Sequence, residues 1–270
     1  MKVAIQGIQG SYHHQVASNL YGNVELLECS TFDQLVNAVS NGHVQIGVMA
    51  IGNSIAGSIL PNYNLIKEQD LSITAEYYLN IEHQLMALKG QVFEDIFEVQ
   101  SHPMALLQCQ SFFRKYPHIK LVETDDTAAA AQRIARDSKM GIAAIASSQA
   151  ATFYELDVVA KDIQEVRNNA TRFVVVNKKS EQVSQANKAT INFTASHEPS
   201  SLAKILTKLG DLDMNVTKIQ SIPIIEKPFL FSFVADIEFE SISIFEKAIV
   251  EIGLLVQSIK ILGVYKSHAL

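Results

Sequence analysis

The sequence lacks several features that would define its class. It contains no tryptophan and only two cysteines, and no apolar run approaches the roughly 20 residues of a membrane-spanning helix. The net charge is −6 without a basic cluster, which argues against nucleic acid as a partner. Cys29 and Cys109 are far apart in the chain, and we expect them to be reduced thiols. We therefore predict a soluble, cytoplasmic protein with no nucleic-acid or membrane partner.

Motifs for cofactors and metals are also missing. The sequence has no G-x-G-x-x-G fingerprint, Walker loop, G-x-S-x-G elbow, H-E-x-x-H or C-x-x-C. His13 and His14 are adjacent, so they would point apart on a helix instead of sharing a metal. The short apolar run at the N-terminus indicates a buried strand and not a signal peptide. We predict neither a cofactor nor a metal.

What is present fits two domains, because 270 residues are too many for one ordinary domain, and the 48% of hydrophobic residues is typical of globular proteins. Over residues 1–179, short apolar runs alternate with amphipathic helical patterns, which is typical of a parallel sheet flanked by helices. The pattern leaves a first lobe near residue 72 and returns with the strand 171–176. We predict lobe 1 over about 1–72 and 168–179, lobe 2 over about 73–167, and a ligand cleft between the lobes.

The C-terminal part has a different pattern. Residues 180–188 are polar and lack large apolar side chains, which predicts a linker. Residues 189–270 follow the order strand, helix, strand, strand, helix, strand, which predicts a ferredoxin-like βαββαβ domain. This segment has no pair of titratable groups at catalytic spacing, so we expect it to bind or regulate.

Polar residues at strand ends form the first part of the candidate site. Gly7, Gly10 and Ser11 join a strand to a helix, where unpaired N–H groups can meet an anion; a plain tight turn is the alternative. Asn53 and Ser54 end a buried strand, a usual place for ligand contacts in α/β proteins. An asparagine turn without a ligand explains them equally well.

Further candidates lie later in the chain. Ser101 and His102 close a strand and open a helix that carries Gln108; His102 could serve as an acid or base, or only cap the helix. Thr171 and Arg172 begin an apolar strand, and an arginine there is suited to grip a carboxylate. A surface arginine that closes a loop is the alternative.

Several of these segments, taken in order, resemble the prephenate dehydratases that carry a C-terminal ACT domain. The segments are GIQGSY, NSIAGS, SHPMALLQC, DTAAAA and NNATRF. The resemblance implies a two-lobed, periplasmic-binding-protein-like catalytic domain followed by an ACT domain, in a homodimer or tetramer. It also implies a carbon–oxygen lyase that converts prephenate to phenylpyruvate in phenylalanine biosynthesis, without cofactor or metal.

The resemblance also assigns roles to residues. Thr171 would donate a hydrogen bond to the leaving hydroxyl, with Gln108 and Asn53 as further catalytic residues. The remaining candidates would bind substrate: Gly7, Gly10, Ser11, Ser54, Ser101, His102 and Arg172. Gly52 stands where the family has glutamate, so we expect lower activity than in relatives. A non-catalytic protein that binds an aromatic precursor and an arogenate dehydratase are the alternatives.

The resemblance further implies an amino-acid effector site in the ACT domain. Its positions here are Ser201, Leu202, Gln220 and Ser221. The family's arginine and glutamate are replaced at this site. Because burying an amino acid's charges without partners is costly, we predict that phenylalanine binds weakly or not at all.

Overall fold

The computed structural model describes residues 1–178, 185–225 and 227–268. The first half of the chain forms these elements, in order: β1 (Lys2–Gln6), α1 (Tyr12–Tyr21), β2 (Glu25–Cys29), α2 (Phe32–Ser40), β3 (Ile46–Asn53), β4 (Gly57–Ser58), α3 (Leu60–Glu68), β5 (Ser72–Asn80), β6 (Gln84–Ala87), β7 (Glu98–Ser101), α4 (Pro103–Gln108), α5 (Gln110–Phe113) and β8 (Lys120–Glu123). The second half continues with α6 (Thr127–Asp137), β9 (Ile142–Ala146), α7 (Ser148–Phe153), β10 (Asp157–Ala160), β11 (Ala170–Asn177), β12 (Lys188–Ala195), α8 (Ser201–Asp211), β13 (Asn215–Pro223), β14 (Phe231–Glu238), α9 (Ile242–Gly253) and β15 (Val256–Tyr265).

The chain forms two compact units that alternate along the sequence. Unit 1 comprises Met1–Leu35, Val48–Ser58 and Tyr78–Phe173, and unit 2 comprises Val36–Gly47, Ile59–Tyr77 and Val174–Leu270. The predicted domain boundary near residue 180 does not coincide with this division, because two earlier segments belong to unit 2. The predicted lobes and domains therefore stay predictions.

Unit 1 contains a mixed sheet that the sequence pattern describes only in part. Its strand order is β10-β6-β9-β7-β8. Strand β7 runs parallel to β8 and β9, whereas β6 is antiparallel to β9 and β10. The expectation of a parallel sheet is therefore wrong for β6 and β10, four-residue strands too short to show a period. Outside this sheet, β1 pairs in parallel with β2, and these strands continue the order β11-β3-β1-β2.

Unit 2 contains the predicted βαββαβ order, from β12 to β15. The strand order is β13-β14-β12-β15, and α8 and α9 pack on an apolar core that includes Ile191, Phe193 and Phe245. Strand β15 also pairs in parallel with β5, at Gly263 and Ile73. A Cβ atom on Gly263 would lie 2.1 Å from the Ile73 carbonyl oxygen, so glycine is required for this approach.

The predicted linker needs a correction at its C-terminal end. Residues 180–184 lie outside the described residues, but Lys188 is the first residue of β12. Its buried ammonium lies 3.0 Å from the carboxylate of Glu76, which also accepts hydrogen bonds from the Ser267 hydroxyl and the His268 amide. A buried cation needs an anionic partner, and Glu76 supplies it here. Lys188 therefore belongs to the core of unit 2 and not to a linker.

Two helices differ from the predictions. The predicted helix that carries Gln108 is short: α4 ends at Gln108, and α5 begins at Gln110, after the fully buried Cys109. Helix α3 was not anticipated, although Pro61 occupies its first turn, where a missing N–H costs nothing. Within the described part of the chain, no helix has the length and hydrophobicity required to cross a membrane.

Candidate active site

The site is built around one pair of side chains, where β3 ends and β11 begins in unit 1. The Ser54 amide donates to the Ala170 carbonyl oxygen over 2.8 Å, which fixes these strand ends side by side. The Asn53 side chain then donates from Nδ2 to the Thr171 hydroxyl oxygen over 2.9 Å. The structure therefore brings together two of the predicted catalytic residues.

The orientation of the Asn53 carboxamide is set by the backbone. Its Oδ1 accepts hydrogen bonds from the Ile55 and Ala56 amides, both over 2.9 Å, so Nδ2 must face the other way. Nδ2 donates to Asn169 Oδ1 over 2.6 Å and to Thr171 Oγ1 over 2.9 Å. The Thr171 oxygen is thus an acceptor toward Asn53, and its own hydrogen remains available for another group.

The hydrogen-bond network continues away from Thr171. Asn169 donates from Nδ2 to Gln108 Oε1 over 3.0 Å, and the same oxygen lies 2.8 Å from His83 Nε2. On the other side of the imidazole ring, Nδ1 lies 2.9 Å from the Tyr12 hydroxyl. Asn169 and His83 are buried, whereas Gln108 and Tyr12 are half-buried. The third predicted catalytic residue, Gln108, therefore belongs to the same network.

Two hydrogen-bond donors of this network have no protein acceptor among the described residues. They are the Thr171 hydroxyl and the Nε2 amide of Gln108. The Gln108 nitrogen is not buried, so it remains accessible to a bound molecule. Accessible donors held by fixed neighbours are suited to stabilise negative charge that develops on a bound molecule.

The network contains no charged group at neutral pH. Burial lowers the pKa of His83, although its hydrogen bond to Gln108 acts in the opposite direction. Burial raises the pKa of Tyr12 well above its usual value, and Cys109 and Glu82, in their anionic forms, act in the same direction. The site therefore offers neutral donors, and no described group of three or more His, Cys, Asp or Glu residues could hold a metal.

Two predicted substrate-binding serines serve the backbone. The Ser54 hydroxyl accepts from the Ala170 amide over 3.0 Å and donates to the Asn168 carbonyl oxygen over 3.4 Å. Ser101 is fully buried and donates to the Ile145 carbonyl oxygen over 2.7 Å. In both residues the hydroxyl connects neighbouring backbone segments, which is reason enough for a serine at each position. Their roles in substrate binding stay predictions.

The structure separates the predicted carboxylate clamp from Thr171. Successive side chains of a strand point to opposite faces, so Arg172 does not share the face of Thr171 in β11. Its guanidinium is buried and lies 6.0 Å from the centre of the Tyr78 ring. His102 is exposed and caps α4, with Nδ1 accepting the Met104 amide over 3.2 Å. The capping alternative thus describes His102, and neither residue joins the Thr171 network.

The glycine turn before α1 has already used most of its amides. The intramolecular acceptors are the Cys29 carbonyl oxygen for Gly7, the Glu28 carboxylate for Gln9, the His14 imidazole for Gly10 and the Ile8 carbonyl oxygen for Ser11. The Ser11 side chain caps α1 by accepting the His14 amide over 3.3 Å. In this conformation the turn does not offer these amides to an anion, and carboxylate binding by Gly7, Gly10 and Ser11 is not supported by the geometry.

Packing explains why glycine occupies this turn. Gly10 has a φ of +85°, and a Cβ atom there would lie 3.0 Å from Cα of Ala150. Its carbonyl oxygen accepts a hydrogen bond from the Ser147 hydroxyl over 2.7 Å. The turn is therefore a packing contact with the start of α7, which requires no ligand.

Gly52 lies beside the site but on the other side of its strand. It pairs with Ser58 across the β3–β4 hairpin, and strand alternation directs positions 52 and 53 to opposite faces. A Cβ atom at Gly52 would meet the Gly57 carbonyl oxygen at 3.5 Å, an ordinary contact. A larger side chain therefore fits at this position, but it would point away from Asn53.

Comparison with known proteins identifies the family. The family model described as prephenate dehydratase matches residues 3–181. The chain belongs to the prephenate dehydratase family. A plant relative, arogenate dehydratase/prephenate dehydratase 2 of Arabidopsis thaliana, is 37% identical over 84% of this chain. The chain spans 60% of the length of that relative. The predicted membership of this lyase family is confirmed.

Solved structures share the fold over nearly the whole chain. A protein described as a novel type of quorum quenching acylase has a TM-score of 0.90 at 25% identity, covering 99% of this chain and 98% of its own. A prephenate dehydratase from Arthrobacter aurescens in complex with L-Phe has a TM-score of 0.88 at 23% identity, covering 99% of this chain and 90% of its own. The second likeness is one of fold alone.

Proposed function

We propose that this chain converts prephenate to phenylpyruvate. In this reaction the bond to the ring carboxylate breaks and releases CO₂, and its electrons complete the aromatic ring as the ring C–O bond breaks. The departing hydroxide takes up a proton and leaves as water. Because aromatisation drives the reaction, the protein mainly needs to hold the substrate and stabilise charge on the leaving oxygen.

The observation that carries this proposal is the unused hydrogen of Thr171. The Asn53 amide donates to the Thr171 oxygen, so the hydroxyl hydrogen can point to the substrate's leaving oxygen. A threonine hydroxyl is a weak acid at neutral pH, and we therefore assign it hydrogen-bond donation and not full proton transfer. Gln108 supplies a second neutral donor to the substrate through Nε2.

A direct assay tests the proposal. Purified protein is incubated with prephenate, and phenylpyruvate is followed by its absorbance, with the Thr171→Ala variant as the matched control. We expect turnover by the natural protein and a large loss in the variant. Calorimetric binding of prephenate without turnover would instead support the non-catalytic alternative.

Arogenate is assayed in parallel because it differs from prephenate only in bearing an amino group in place of the keto oxygen. An ammonium group in a site of this kind needs a carboxylate partner. The Thr171 network consists of neutral amide, hydroxyl and imidazole groups, and we therefore propose prephenate as the preferred substrate. A higher kcat/KM for arogenate would contradict this preference.

An acylase reaction is less compatible with the site. Acyl transfer through a threonine requires a base that removes the hydroxyl proton. Among the described residues, the side-chain hydrogen-bond partner of Thr171 is the Asn53 amide, a donor that cannot take a proton. We therefore do not propose acylase activity.

We also propose that residues 189–270 form an ACT regulatory domain and that the two-lobed region before it resembles the periplasmic binding proteins. The βαββαβ order and the β13-β14-β12-β15 strand order support the first assignment. The expected homodimer or tetramer and the cytoplasmic location stay predictions. Light scattering of the full chain would test the oligomer.

A cavity in unit 2 is the proposed effector site. It measures about 470 Å³ and contains the predicted Ser201 and Leu202, but not Gln220 or Ser221. Phe229, Phe231 and Phe233 supply apolar walls and Glu198 a carboxylate that suits an ammonium group; none of the lining residues is Lys or Arg. We therefore propose weak binding of an aromatic amino acid, since its carboxylate meets no Lys or Arg among the described residues that line this cavity. Calorimetric titration with phenylalanine tests this, and micromolar affinity coupled to inhibition would contradict it.

A further inference from the structure

The hydrogen bonds around Thr171 have a fixed direction that starts at the backbone. The Ile55 and Ala56 amides can only donate, so they fix Oδ1 of Asn53 as an acceptor and Nδ2 as a donor. Nδ2 then fixes Oδ1 of Asn169 as an acceptor, which leaves the Asn169 Nδ2 group to donate. That group donates to Gln108, whose oxygen is therefore the atom that faces Asn169.

The same direction determines where His83 carries its proton. Gln108 Oε1 can only accept, so His83 Nε2, at 2.8 Å, must donate to it. In a neutral imidazole the other nitrogen then has a lone pair, and it faces the Tyr12 hydroxyl at 2.9 Å. Tyr12 has one hydrogen and a second acceptor, the Glu82 carbonyl oxygen, also at 2.9 Å. The neutral ring protonated at Nε2 is therefore the form that the network selects.

We propose that His83 is a positioning residue for the dehydratase reaction, which holds the Gln108 carboxamide so that its Nε2 group faces the substrate. This inference rests on the proposed function. Without His83, the Gln108 oxygen would keep only the Asn169 contact, and rotation of the carboxamide would present an acceptor to an anionic substrate.

The surroundings of His83 favour a fixed neutral donor over a proton-transferring acid. His83 is 3% exposed, and its backbone amide donates to the Gln164 side-chain oxygen over 2.8 Å. Tyr12 is the titratable group in contact with the ring, and Cys109 and Glu82 are the titratable groups that act on Tyr12. Burial lowers the pKa of His83, so the ring stays neutral throughout the neutral pH range.

Paired substitutions separate a positioning role from a structural one. In His83→Gln the new Nε2 occupies the position of the imidazole Nε2, so the donor to Gln108 is retained. In His83→Asn the shorter amide reaches only the Tyr12 side. We expect His83→Gln to keep kcat within about threefold of the natural protein and His83→Asn to lose about tenfold, with KM changing less than kcat. Both variants should unfold at similar temperatures.

Equal losses of kcat in the two variants, or no loss in either, would overturn the proposal. The pH profile of kcat provides a second test, because a neutral donor predicts no His83 ionisation step near pH 6.5, the usual imidazole pKa. A step near that pH that disappears in His83→Gln would show that His83 acts as an acid or base instead.

A spectroscopic measurement separates this proposal from the proposed function. Nitrogen-15 NMR of the imidazole rings, assigned with the His83→Gln variant, reports the protonated nitrogen without any substrate. We expect a neutral ring protonated at Nε2 at pH 7. A ring protonated at Nδ1, or a charged ring, would overturn the positioning role. Absence of prephenate turnover would instead contradict the proposed function and leave the NMR result interpretable.

Discussion

Two places in unit 1 are predicted as parts of the same site, but they use their hydrogen-bond donors differently. In the turn from Gly7 to Ser11, the amides donate to a carbonyl oxygen, a carboxylate or an imidazole of the chain itself. Where Asn53 meets Thr171, the last donor of the network remains without a protein acceptor among the described residues. The first arrangement stabilises the fold, and the second leaves a group for a substrate.

This difference shows that hydrogen-bonding groups left without a protein partner indicate a ligand site more strongly than the residue types at a strand end do. Both places have polar residues after a buried strand, which is where α/β proteins bind ligands. Only the capacity that is left after folding can act on a bound molecule.

The strongest test removes the available donor. Thr171→Ala should lower kcat for prephenate by roughly 100-fold or more with a modest change in KM, because the group acts on the transition state. Steady-state assays of both parameters provide the measurement. Thr171→Ser keeps the hydroxyl and is the matched control, expected within about tenfold of the natural protein. A near-normal kcat in Thr171→Ala would rule out its role at the leaving oxygen.

The second test reverses the direction of the hydrogen bond at Asn53. Asn53→Asp has nearly the same shape, but an ionised carboxylate only accepts, so Thr171 would turn its hydrogen toward residue 53. We expect kcat to fall on the order of tenfold, in line with one misdirected hydrogen bond. Assays alongside circular dichroism separate this effect from misfolding. Unchanged kcat in a folded variant would mean that Thr171 does not depend on Asn53.

The third test concerns the glycine turn. Ser11→Ala removes the cap of α1 and should lower the free energy of unfolding by about 1 kcal/mol. Denaturant titration measures this loss. KM for prephenate should stay within about twofold, because the turn's amides are already used within the protein. An increase in KM of tenfold or more would restore the turn to the substrate site.

The smallest effect is expected at Gly52. The sequence comparison alone suggests that Gly52→Glu should raise activity by restoring the family's carboxylate. The structure directs this side chain to the strand face opposite Asn53, and we now expect kcat to change by less than about threefold. Steady-state assays at saturating prephenate decide between the two expectations, and a larger rise would favour the sequence-based one.

Much of the fold is predictable because its elements are long and periodic. The order of β12 to β15 matches the pattern, and α1 directly follows the predicted turn that joins a strand to a helix. Strands β6 and β10 were not predictable, because a buried strand of four residues has no period to detect. The break at Cys109 was equally hidden, since the residues on both sides suit a helix.

The site was predictable where a motif marks it and not elsewhere. Asn53, Gln108 and Thr171 were identified from their segments, and they meet in the structure. Tyr12 and His83 are 71 positions apart, and no local pattern signals that their rings approach. Arg172 lies apart from Thr171 because side chains alternate along a strand, and its role as a carboxylate clamp stays a prediction.

The close approach of β15 to β5 has a consequence for how this chain can be divided. A fragment cut at residue 189 would retain the whole βαββαβ order but lose Ile73, the neighbour of Gly263. Strand β15 would then be an open edge with unpaired backbone groups, and such edges favour association with other chains. The segment 59–77 therefore shields the edge of β15 from other chains. A C-terminal fragment intended to stay monomeric needs that segment supplied with it.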